Sequence, residues 1–90
     1  MSIEWDGRTA ASTLQKHGID FADAVTALDD DQTITVQDTL SAGETRYITV
    51  GMDAMGRVLT VVDTWRGEVV QLISARPSSP AERRQYGDRT

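Results

Sequence analysis

Residues 69–86 read VVQLISARPSSPAERRQY, and this stretch sets the architecture because it passes from strand to helix across a sharp boundary. Val70, Leu72 and Ser74 recur at the two-residue period of a strand, and the run ends on Arg76. Pro77 has no N–H to give a ladder, so regular pairing stops there. Ser79, Pro80 and Glu82 then spell a helix start. They supply a capping hydroxyl, a proline where a missing N–H costs nothing, and a glutamate that reaches back to the cap. Gly87 suits the stop. This helix carries Arg83 and Arg84 but is shorter than the roughly 12 to 15 residues that hold together alone in water, so it must rest on the sheet or on a partner.

Upstream, Trp65–Glu68 and Asp53–Gly56 are short turn signals, each with a glycine. They divide the chain into strands Thr45–Met52, Arg57–Thr64 and Val69–Ala75, an antiparallel meander. Ser41–Gly43 marks a looser connection, Ile34 and Val36 a further strand, and Ile3 and Trp5 another short one. Two helices lie between. Asp6 caps the first, with Ala10, Leu14 and His17 on its inner face, Gly18 as a left-handed stop and Ile19 packing back on Leu14. Asp20 caps the second, whose buried stripe is Phe21, Ala24, Val25 and Leu28, and Asp29–Asp31 oppose the negative end of its dipole. The expected fold is α+β: an antiparallel sheet of the three-strand C-terminal meander plus one or two further strands, two N-terminal helices over one face, and a short C-terminal helix. One domain spans residues 1–90.

Composition narrows the function. The 90 residues contain no cysteine and one histidine, which excludes a disulfide framework, a thiolate metal site and a histidine cluster. MSIEWDGRT resembles no signal or transit peptide, and no apolar run nears the roughly 18 residues of a membrane span, so a cytoplasmic protein with no membrane partner is expected. A net charge of −5 argues against a general nucleic-acid binder. The charge is uneven: residues 76–90 hold four arginines against Glu82 and Asp88, a net of +2, which leaves −7 of the total −5 for residues 1–75. The basic end is either a solvated helix or a local anion site.

Tight turns would place Arg46 opposite Asp63 as a cross-strand ion pair, and Arg57 opposite both Met52 and Arg76. Like charges directly opposed destabilise a sheet unless an anion sits between them, so Arg57 and Arg76 mark a phosphate site unless an acid of the chain neutralises them. A bulge in either hairpin would shift this register.

IEWD followed by KHGIDFADA, then ETRYITVG with GRVLTVV, then LISAR with ERRQY, in this order and spacing, resembles the BrnT family of type II toxins along nearly the whole chain. The resemblance implies a RelE-like α+β fold and a ribonuclease activity, and carries its signature onto Lys16, His17, Arg46, Arg57, Arg76, Glu82, Arg83 and Tyr86. Thr9, Thr13, Gln71 and Gly87 depart from the family pattern, where lysine, asparagine, a basic residue and glutamate are usual. Cleavage of RNA by a ribose 2′-hydroxyl needs a base, an acid and cations where charge gathers on phosphorus. Arg57 and Arg76 suit the last role, since a guanidinium fork matches two phosphate oxygens. Histidine is the side-chain type whose unperturbed pKa suits neutral acid–base work, which makes His17 a candidate, but its helical face also suits a buried structural histidine. Glu82 reads first as a capping partner, Tyr86 as an anchor for the short helix, and Trp5 and Trp65 as packing residues before base-stacking ones.

The expected function is the toxin of a type II toxin–antitoxin pair. It would be a metal-independent endoribonuclease without cofactor that cuts messenger RNA and inhibits translation. A BrnA-like ribbon-helix-helix antitoxin would neutralise it, with DNA bound only through the complex. The alternative is a catalytically weak or inactive antitoxin-binding module. Tyr47, Thr49, Thr60 and Gln71 are expected on one sheet face that the antitoxin covers and that, uncovered, promotes a homodimer.

Overall fold

The computed structural model describes residues 2–38 and 45–87, so the Ser41–Gly43 connection lies outside the described residues. The elements run β1 (Ser2–Trp5), α1 (Gly7–His17), α2 (Phe21–Leu28), β2 (Ile34–Asp38), β3 (Arg46–Met52), β4 (Val58–Arg66), β5 (Val69–Pro77) and α3 (Pro80–Gly87). Their boundaries follow local chemistry. The Asp6 carboxylate accepts from the Arg8 amide and Asp20 from the Ala22 amide, so each aspartate satisfies a donor that its helix cannot. Gly18, at φ 71°, ends α1 in the left-handed region with its N–H on the Leu14 carbonyl. At α3, Ser79 N–H donates to Glu82 Oε1 at 2.7 Å while Ser79 Oγ accepts from Glu82 N–H at 3.2 Å, the reciprocal cap its sequence spells.

The strands form one sheet in the order β1-β5-β4-β3-β2. Neighbours β2 to β5 pair antiparallel, but β1 lies parallel to β5, with Ile3 beside Val70 and Trp5 beside Leu72. The sheet is therefore mixed rather than antiparallel. The first strand takes the outer edge of the last, where its apolar residues extend a face already apolar.

Helix α2 lies on that face. Phe21, Ala24 and Ala27 pack with Ile19 against Leu59, Val61, Val70, Leu72 and Ala75, all but sealed from solvent. The approach is closest at Gly51, where a β-carbon would stand 2.4 Å from the Ala27 carbonyl oxygen. Helix α1 turns differently from the expected stripe. Thr13 is the residue it buries, while Leu14 is half exposed and His17 is exposed. Ile19 joins the main core instead of Leu14, and Trp5, 41 % exposed, meets Phe21 edge-on at 5.8 Å rather than lying within the core. No helix among the described residues is long and apolar enough to cross a membrane.

Both hairpins depart from the expected register. Asp53 N–H donates to the Arg57 carbonyl, so the first turn takes in Arg57 and Met52 faces Val58. The second turn closes at Gly67 and Glu68, and an irregularity beyond Val62 leaves Ile73 without a partner, so Arg76 faces Thr60. Arg57 and Arg76 are thus not opposed. Arg46 faces Thr64, and Asp63 faces Tyr47. A one-residue slip sends a side chain to the other face, so the expected Arg46–Asp63 pair does not form. The same alternation separates Tyr47 and Thr49, on the α2 face, from Thr60 and Gln71 on the other, and removes the single polar face expected to drive dimerisation.

Candidate functional site

Arg57 closes the β3–β4 turn. Its Nε donates to Asp53 Oδ2 at 2.8 Å and its Nη2 to Asp23 Oδ2 at 3.2 Å, which ties the turn to α2. Burial pushes the Asp53 carboxyl up, but the Arg57 amide, the guanidinium and the Met55 amide outweigh it and hold the group below its usual range. Arg76 is bidentate on Glu82, at 2.7 and 3.0 Å. That fork, helped by the Ser79 amide and Thr60, pulls the Glu82 carboxyl down to about 2 against the opposing effect of burial, and raises Arg76. Each arginine expected to receive a phosphate is therefore already held by carboxylates of its own chain.

The rest of the C-terminal segment is committed in the same way. Arg83 donates to the Ser78 carbonyl at 2.7 Å, and the Tyr86 hydroxyl donates to Asp30 Oδ2. This bond lowers Asp30 and raises Tyr86. Asp30 also accepts from the amides of Gln32 and Met52. Helix α3 buries no side chain, so polar ties to β5 and to the end of α2 keep it on the sheet, with Tyr86 as the anchor. Arg46 is half-buried with its Nε lacking a hydrogen-bond partner.

His17 stands elsewhere. Helix α1 runs beside β5, and a groove of about 350 Å³ between them is lined by Arg8, Thr9, Ser12, Thr13, Lys16 and His17 from the helix and by Ile73 and Ser74 from the strand. Arg8, Lys16 and His17 are exposed, and no carboxylate pairs with them among the described residues. The structure thus gathers a histidine, an arginine, a lysine and several hydroxyls along one wall, apart from Arg57, Arg76, Glu82, Arg83 and Tyr86. Arg8, Ser12 and Ser74 were missing from the candidates read in sequence. Arg8, Ser12 and Lys16 do recur every fourth residue, as do Thr9, Thr13 and His17, so helical spacing alone aligns two adjacent rows.

A small mixed-sheet α+β domain with a basic groove at its outer helix matches one family model, described as "Ribonuclease toxin, BrnT, of type II toxin-antitoxin system", over residues 5–82. The chain belongs to this BrnT family of ribonuclease toxins, whose systems include an antitoxin partner. It is similar to the crystal structure of the Brucella abortus ribonuclease toxin BrnT, with 27% identity, a TM-score of 0.65, and coverage of 88% of this chain and 97% of that one. Comparison with curated proteins gives no match.

Proposed function

We propose that this chain is a metal-independent endoribonuclease that cuts RNA in the groove between α1 and β5. The supporting observation is the contrast in pairing: Arg8, Lys16 and His17 face solvent free of carboxylates, whereas Arg57 and Arg76 are clasped. His17 takes the proton of a ribose 2′-hydroxyl as the 2′ oxygen bonds to the adjacent phosphorus. Arg8 receives the charge that builds on the non-bridging oxygens. Lys16 gives a proton to the departing 5′ oxygen as its bond to phosphorus breaks. The products are a 2′,3′-cyclic phosphate and a 5′-hydroxyl end. Loss of messenger RNA in the cytoplasm would then stop translation. A BrnA-like ribbon-helix-helix antitoxin would neutralise the enzyme and bring the complex to DNA.

Incubation of purified protein with RNA in the presence of a chelator tests this. Cleavage should persist, and His17→Ala should slow it by about a hundredfold or more. Full activity in His17→Ala with loss in Arg76→Ala would move the chemistry to the end of β5 and α3. Thr9 and Thr13, two departures from the family pattern, line this groove, which favours a second reading of the chain as a weakened enzyme that mainly binds its antitoxin. Thr9→Lys should then raise the cleavage rate.

A further inference from the structure

Above the end of α2, on the face that carries the core, a cavity of about 460 Å³ opens among Leu28, Thr49, Tyr47, Asp63, Trp65 and Val70. It is distinct from the α1 groove and lies toward the opposite end of β4 from the Arg57 turn. Asp63 is 3 % exposed, and its Oδ1 has no hydrogen-bond partner. Arg46, which faces Thr64, lies on the other side of the sheet from it. Tyr47 and Trp65 stand edge to face at 6.4 Å over the same space, with Trp65 nearly half exposed. Leu28 and Val70 give it apolar walls.

A buried carboxylate with one oxygen free and no ion-pair partner asks for a cation, aromatic faces at its rim attract one, and apolar walls suit an alkyl stem. Arginine joins these three properties in one side chain. The surroundings also select the kind of molecule that brings it: residues 1–75 carry most of the acidic charge of a −5 chain, which attracts a basic protein segment and repels a nucleic-acid backbone. We infer that this cavity is the docking site for an arginine of the antitoxin, held by Asp63 Oδ1 and flanked by Tyr47 and Trp65. The inference rests on the reading of the chain as an antitoxin-bound toxin, but its first test needs neither RNA nor antitoxin.

In a Trp5→Phe background Trp65 is the single tryptophan, and its fluorescence reports on the cavity. Titration with Nα-acetyl-arginine amide should give a saturable change, at least tenfold weaker with the isosteric citrulline amide. Asp63→Asn should weaken arginine binding at least tenfold with an unchanged circular dichroism spectrum. As a control for lost charge, Asp31→Asn, at an exposed carboxylate outside the cavity, should retain binding. Absence of saturable arginine binding, or tighter binding of guanosine monophosphate than of arginine, would overturn the inference. So would cognate antitoxin binding equally well to wild type and Asp63→Asn. Loss of RNA cleavage with arginine binding intact would remove the nuclease reading alone.

Discussion

At the scale of single residues, two carboxyl groups give stability opposite pH dependences. Burial raises Asp63 to about 6, and a hydrogen bond from Trp65 draws it only part of the way back. Its ordinary value is 3.8, so the unfolded chain loses this proton before the folded one does. Stability should fall as pH rises from about 4 through 6 and stay reduced above that, by up to about 3 kcal/mol for a shift of about two units. Asp63→Asn should be more stable than wild type in urea at pH 7.5 and nearly equal to it at pH 4. Glu82 acts in the other direction. Its folded value of about 2 against 4.5 means that its contribution is present above 4.5 and disappears as pH falls through 2. With Arg76 partly exposed, solvent screens the pair, so Glu82→Gln should cost about 1 kcal/mol at pH 7 and nothing near pH 2. The Glu82 cap was legible in sequence because Ser79, Pro80 and Glu82 lie within four residues. The loss of Arg46 as a partner for Asp63 was not, because it depends on the count of residues in the β3–β4 turn.

At the scale of elements, β3 and α2 meet without a side chain between them. A methyl group at position 51 would lie 2.4 Å from the Ala27 carbonyl oxygen and 2.9 Å from Thr33 Cγ2, and backbone cannot yield as a flexible side chain can. Gly51→Ala should therefore lower stability by about 1 to 3 kcal/mol in urea denaturation, and Val50→Ala should leave the α2 approach intact. The caps of α1 and α2, the strands of the meander and the α3 cap followed from local patterns that need no tertiary partner. The rotation of α1 did not. Ala10 packs on the core as its spacing indicates, but Leu14 and His17 face outward and the helix sits beside β5 with Thr13 inward. That rotation turns His17 from an expected core residue into a wall of the groove.

At the scale of the whole molecule, an acidic body with a small basic groove should bind RNA through few phosphates. With Arg8 and Lys16 as the main contacts, the logarithm of affinity for a 2′-O-methyl RNA strand, which cannot be cleaved, should fall with the logarithm of salt at a slope between about −1 and −2. Fluorescence anisotropy measures this, and a slope steeper than about −4 would require a far larger basic footprint. Fold class was legible because helix and strand periods are separate along the chain, but the sheet order was not, since a four-residue strand says nothing about which edge it joins. That edge has a consequence during synthesis. Ser2 pairs with Val69, so β1 has no sheet neighbour until β5 leaves the ribosome. Ile73 and Ser74, the far wall of the groove, emerge at the same moment. Until β5 is made, a nascent chain therefore lacks the far wall of the groove, so any chemistry seated there waits for the fifth strand.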